Sequence, residues 1–136
     1  MDIVDASTRS RMMSAVRAKN TSPEMIVRRY LHEQGFRYRL HVRKLPGSPD
    51  LVLPKHRTAI FVHGCFWHRH QGCRYTTMPA SNVEHWREKF AANVQRDGVK
   101  ETQLRLAGWK VLVVWECELK RSPEGRLNEL VDEILR

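Results

Sequence analysis

Short apolar runs separated by turn-forming residues divide this chain into strands and amphipathic helices. Pro49-Asp50-Leu51-Val52-Leu53 reads as a short apolar strand with a carboxylate at its mouth, and Thr58-Ala59-Ile60-Phe61-Val62 reads as its hairpin partner. Val111-Leu112-Val113-Val114-Trp115 predicts a further buried strand after the stop at Gly108, and Phe36-Arg37-Tyr38-Arg39-Leu40 alternates as an edge strand. Helical spacing marks the remaining segments. Ser7 to about Arg17 predicts a basic amphipathic helix with Ser7 as N-cap. In the second helix Ser22 caps, Pro23 takes the first helical position, Glu24 supports the dipole and Gly35 ends it, with Met25, Ile26, Tyr30 and Leu31 as the apolar stripe. Ser81-Asn82-Val83-Glu84 has the form of a capping box, opening a helix through Trp86, Phe90 and Val94 towards Leu104, and Leu127 to Leu135 predicts a closing helix. The expected order is helix, helix, strand, strand, strand, helix, strand, helix. That order predicts an α/β fold, a mixed sheet flanked by helices on both faces, with residues 1–136 as a single domain.

Charge narrows the partner. Across 136 residues the formal charge is +9, spread along the chain instead of confined to a tail, which points to a polyanion such as nucleic acid. No apolar run approaches the roughly 20 residues of a spanning helix, so a membrane is not expected. Met1-Asp2-Ile3-Val4-Asp5 lacks the basic-then-apolar build of a secretion signal, and a cytoplasmic location follows as the expectation.

Candidate chemistry concentrates after the Thr58–Val62 strand, in His63-Gly64-Cys65-Phe66-Trp67-His68-Arg69-His70-Gln71-Gly72-Cys73. The three cysteines cannot all pair, and in a reducing compartment each needs another explanation. Cys65, His70 and Cys73 are locally spaced as metal ligands, and Cys117, the remaining thiol, is the candidate that completes a tetrahedral structural zinc site. His68 competes for the middle position, and Cys117 also reads as a small buried hydrophobe. Oxygen ligands around Asp50 suit a harder cation such as Mg²⁺.

Pro-Asp on one strand followed by a second strand is the skeleton of the PD-(D/E)xK nuclease core, although Phe61-Val62-His63 stands where that pattern puts Glu-x-Lys. The fuller set is more specific. Pro46-Gly47-x-Pro49-Asp50, Phe61-x-His63-Gly64-Cys65-Phe66-Trp67-His68, Trp86-x-x-Lys89-x-x-x-Asn93-x-x-x-Asp97, Gly108-Trp109-x-Val111 and Val114-Trp115-Glu116-Cys117 occur in order. Together they resemble the very-short-patch repair (Vsr) DNA mismatch endonucleases over about Ser7 to Cys117. The resemblance implies a restriction-endonuclease-like mixed sheet with a structural zinc site, and a strand-nicking enzyme acting 5′ to the thymine of a T·G mismatch left by deamination of 5-methylcytosine.

It also implies roles residue by residue. Asp50 would bridge catalytic Mg²⁺ with the main-chain carbonyl of Val62 as a further ligand, while Glu24 and His63 would hold water around the metal. His68 would be the general base and Asp97 would orient its imidazole, which suits a side chain that transfers protons near neutrality. Cys65, His70, Cys73 and Cys117 would hold Zn²⁺. Phe66, Trp67 and Trp86 resemble an aromatic wedge entering the duplex, where unstacking costs least at a defective pair. Lys89 and Asn93 would read the wobble pair. Residues 1–20, with Met13 and Val16 between Arg11 and Arg17, resemble an arm that grips the opposite groove. The expected partner is double-stranded DNA with a T·G mismatch, with mismatch-repair proteins as further candidates, and the enzyme is expected to be a nucleoid-associated monomer. Two other readings remain at this stage: a nuclease of the same fold with another DNA trigger, and a non-catalytic zinc DNA-binding module.

Overall fold

The computed structural model describes residues 20–136. The expected helix from Ser7 to Arg17, and Met13 and Val16 with it, lie outside the described residues.

Helix α1 spans Ser22–Glu33, and its cap is Thr21 instead of Ser22: Thr21 has extended backbone and its hydroxyl accepts from the Glu24 amide at 3.4 Å. Ser22 therefore becomes the first helical residue and Pro23 the second. Strands β1 (Arg39–Leu40), β2 (Leu51–Leu53) and β3 (Thr58–His63) follow, β2 and β3 being joined by a 3-10 turn at Pro54–His56. The Thr58–Val62 expectation is extended by one residue, and the Phe36–Leu40 expectation shrinks to its last two. After a single helical turn, α2 (Cys65–His68), the long helix α3 covers Val83–Leu106, β4 covers Lys110–Trp115, and α4 (Glu116–Arg121) and α5 (Pro123–Leu135) close the chain.

Two expectations about these elements are corrected. The capping box before α3 does not form: Asn82 is the cap residue, in the left-handed region at φ 55°, without a side-chain cap. The chain turns into α3 through that left-handed residue, a geometry for which asparagine is well suited. The second correction is α4, which follows β4 directly and was not legible as a helix. Its start is held by the Trp115 amide, which donates to the Glu118 carboxylate at 2.7 Å.

The sheet order is β1-β2-β3-β4, antiparallel between the first three and parallel between β3 and β4. The mixed sheet expected from the pattern is therefore present. One face carries Leu51, Leu53, Ile60, Leu112 and Val114 against Val27 and Leu31 of α1, Leu119 of α4 and Leu127, Leu130 and Ile134 of α5. The other face carries Ala59 and Phe61 against Leu104 of α3. Strand periodicity explains this division, since alternate side chains of β3 and β4 point to opposite faces. The stripe of α1 rotates relative to expectation: Val27 and Leu31 are buried, whereas Ile26 is 40% exposed. Helix α1, the start of β2 and the end of β3 together place Glu24, Asp50 and His63 at one end of the sheet.

Candidate active site and metal centre

A cleft of about 1050 Å³ opens at that end, lined by Glu24, Asp50, His63, His68 and Asp97 among others. Asp50 stands immediately before β2, and one carboxylate oxygen accepts from the Val62 amide of β3 at 2.8 Å. Burial raises the Asp50 carboxyl from 3.8 to about 6, reinforced by the negative charge of Glu24 and opposed by the Val62 amide, His41 and His68. Glu24 is only 2% exposed. Ligand atoms of Glu24, His41 and Asp50 lie within 4.8 Å of one another. Two carboxylates confined so closely favour a cation, and oxygen donors beside an open cleft fit a hard divalent ion that takes its remaining ligands from phosphate or water.

The turn α2 delivers the second set. His68 Nδ1 meets Asp97 Oδ2 of α3 at 2.6 Å, leaving Nε2 as the nitrogen not engaged by Asp97. The His68 ring stacks on His63 at 3.8 Å with an interplanar angle of 5°. Burial, followed by the neighbouring His68, pushes His63 down to about 3, so its imidazole is neutral near neutral pH. Its Nδ1 is buried and has no hydrogen-bond partner among the described residues, a free lone pair or proton suited to an ordered water.

On the other side of Trp115 lies the cysteine cluster. Cys65, His70, Cys73 and Cys117 bring one ligand atom each to within 4.8 Å of the others. His70 Nδ1 is 3.7 Å from Cys65 Sγ and 3.3 Å from Cys117 Sγ. Those separations bracket the N···S edge of about 3.6 Å implied by ordinary Zn–S and Zn–N bond lengths in a tetrahedron. The donor set fits zinc. Burial pushes the Cys65 thiol up to about 12, so metal binding here must displace protons. His68, the competing ligand in the sequence reading, is turned to Asp97 instead. The distant Cys117, weakly supported by spacing, is brought in because β4 lies parallel to β3 in the register His63↔Trp115.

Trp115 joins the two centres. Its ring stacks on His70 at 4.2 Å and meets the edge of His63 at 5.1 Å.

The aromatic residues also converge. Phe66 and Trp67 pack with Trp86 and Phe90 of α3 at centroid separations of 5.1 to 6.4 Å. Trp67 is 6% exposed, whereas Phe66 and Trp86 are half-buried. Lys89 Nζ lies 5.5 Å from the Trp67 ring and 5.3 Å from that of Trp86. Asn93 is buried and its amide donates to the Trp67 carbonyl at 3.4 Å. Arg69, given no role in the sequence reading, lies over Phe90 at 4.0 Å. His41 was also missed, because nothing local marks it and its contact lies 17 residues back in the chain.

Residues 1–74 match the family model for DNA mismatch endonuclease Vsr. The chain belongs to the Vsr family. A Vsr relative, the "type II nicking enzyme V.XorIIP" of Xanthomonas oryzae pv. oryzae, is 47% identical over 96% of this chain and 97% of its own length. The "type II nicking enzyme V.NmeAIP" of Neisseria meningitidis is also 47% identical, over 98% of this chain and 96% of its own length. The Escherichia coli "DNA mismatch endonuclease Vsr" is 42% identical over 98% of this chain and 82% of its own length. The cleft, the His68–Asp97 pair and the cysteine cluster are thus features of a Vsr chain. None of its described helices is long and apolar enough to cross a membrane.

Proposed function

We propose that this Vsr chain is a Mg²⁺-dependent, zinc-stabilised endonuclease that nicks one DNA strand 5′ to the thymine of a T·G mismatch. The observation that carries the reading is the pairing of His68 with Asp97 across the cleft from the Asp50 carboxylate, in a chain of this family. Asp50, assisted by Glu24 and the Val62 carbonyl, would hold the divalent ion. Such an ion polarises the scissile phosphate and neutralises the leaving oxygen.

The remaining work falls to side chains. Asp97 fixes the His68 ring through Nδ1, so Nε2 takes the proton of the attacking water as its oxygen bonds to phosphorus and the bond to the leaving oxygen breaks. His63, neutral and stacked on His68, limits the ring's rotation and offers its free Nδ1 to water. Cys65, His70, Cys73 and Cys117 would hold a structural zinc that fixes the turn carrying His68.

Phe66, Trp67 and Trp86 act as the wedge, which favours a duplex already weakened at a mispair. Lys89 and Asn93, beside the same aromatics, take part in reading the pair, and residues 1–20 act as the gripping arm. A charge of +9 supports phosphate contacts common to all duplexes. One cleft suffices for one cut, so the enzyme acts as a monomer on the bacterial nucleoid. The test is a nicking assay on T·G and matched duplexes with and without Mg²⁺. Metal-dependent, single-strand cleavage favouring T·G is expected, and equal cutting of both duplexes would replace this reading with a general nuclease.

A further inference from the structure

The geometry points to His41 as a positioning residue that sets the Glu24 carboxylate against Asp50 and thereby the affinity of the cleft for its divalent cation. The inference rests on the reading of Asp50 as a cation ligand. His41 follows β1 in the left-handed region, at φ 47°, a conformation uncommon for a residue other than glycine. Its amide donates to the Asp50 carbonyl at 3.1 Å, which ties it to the mouth of β2. Its ring Nε2 lies 3.1 and 2.9 Å from the two oxygens of Glu24, so a single N–H straddles the carboxylate. One residue thus grips Asp50 through its backbone and Glu24 through its side chain.

Glu24 needs such a grip. It occupies the third position of α1, from which a glutamate ordinarily reaches back to the cap, but here its carboxylate is directed to His41 and, at 3.3 Å, to Arg28. With its side chain only 3% exposed and Asp50 close by, a loosely held carboxylate would rotate away from the like charge. The His41 N–H, shared between both oxygens, and the Arg28 guanidinium hold it in place. The remaining lone pairs are then left for a cation shared with Asp50, whose carboxylate lies within 4.8 Å. Nε2 is directed at a carboxylate in this arrangement, which makes it a hydrogen-bond donor and not itself a cation ligand.

The substitutions His41→Asn and His41→Gln separate reach from conformation. Asparagine tolerates the left-handed backbone but is too short to reach Glu24, whereas glutamine carries an N–H₂ near the position of Nε2. Mn²⁺ binding to the zinc-loaded full chain is followed by electron paramagnetic resonance, alongside the Mg²⁺ dependence of nicking and a thermal melt without added divalent ion. For His41→Asn, the Mn²⁺ dissociation constant and the half-saturating Mg²⁺ concentration are expected to rise by about 10- to 100-fold, with the rate at saturating Mg²⁺ within a few-fold of wild type. His41→Gln should restore most of the affinity. Wild-type Mn²⁺ affinity in His41→Asn overturns the proposal. So does an equal loss in both variants, which would make the ring itself a ligand or a packing element. Asp50→Asn is the control for the underlying reading: if it still binds Mn²⁺ and nicks, the cation site itself is misassigned, whatever the His41 variants do.

Discussion

At the scale of single residues the proposed mechanism divides the site into groups that would hold charge and groups that would move a proton. Asp50 belongs to the first, and replacing it with Asn is expected to reduce nicking at least about a thousandfold, the rate equivalent of several kcal/mol of lost transition-state stabilisation. Single-turnover nicking measures this, and near-normal activity would remove Asp50 from the centre. His68→Ala should cost about 10²- to 10⁴-fold in the chemical step, the range of a lost general base, and Asp97→Ala less, because the imidazole persists but turns freely. The raised Asp50 carboxyl also has a pH consequence. With its folded value at about 6 against 3.8, the metal-free folded chain binds the proton more tightly than the unfolded chain. Its stability contribution is present at low pH and is lost as pH rises from about 4 through 6. Under the proposed mechanism Mg²⁺ would compete for the same oxygens, so thermal melts should show a larger Mg²⁺-induced rise in Tm at about pH 8 than at about pH 5. Asp50→Asn should abolish that difference. Asp50 was legible because Pro49-Asp50 abuts an apolar run, whereas His41 was not, because its meaning depends on a left-handed turn and a partner on α1.

Helices and strands show where local patterns sufficed. The strand cores of β2, β3 and β4 were marked by apolar runs and α3 by Trp86 and Phe90 at helical spacing, since those signals are contained within each segment, although Val94 of the same stripe is exposed and Asn93 is buried in its stead. The start of α3 was not, because a left-handed Asn82 takes the place of the side-chain cap that Ser81 and Glu84 suggested. Likewise α2 and α4 are one or two turns long, too short for periodicity to reveal, yet they carry His68 and Cys117. The cysteine cluster draws its four side chains from the Cys65–Cys73 segment and α4, so a metal held there would tie these short pieces together. Metal analysis of protein purified without chelator is therefore expected to find about one zinc per chain, and Cys117→Ser should lower both zinc content and Tm. Zinc retained at full stoichiometry in Cys117→Ser would exclude it as a ligand. Because Trp115 stacks on His70 and abuts His63, loss of zinc should also depress nicking before the fold is lost. In the aromatic cluster, the half-buried Trp86 is the better probe of a wedge than the buried Trp67, whose truncation also costs core packing. Trp86→Ala should lower the T·G to T·A rate ratio more than it weakens binding to matched duplex.

At the scale of the whole molecule, a charge of +9 and a specific cleft make separable contributions to binding. Phosphate contacts release counterions on any duplex, so raising salt should weaken matched and mismatched binding with similar slopes, while the preference between them persists. Composition alone made a polyanion the expected partner but left a zinc-containing binding module as open as a nuclease. The ordered motif blocks favoured the nuclease, as does the family match, and the fold places His68, Asp97, Asp50 and Glu24 around one cleft although they lie far apart in the chain. The most direct test of this account is the ratio of initial nicking rates on T·G and T·A duplexes of otherwise identical sequence, at fixed salt and saturating Mg²⁺. Cleavage of the thymine-containing strand of the T·G duplex alone, at least about tenfold faster than either strand of the T·A duplex, is the expected result. A ratio near one, or no cleavage of the T·G duplex by the zinc-loaded protein, would contradict it.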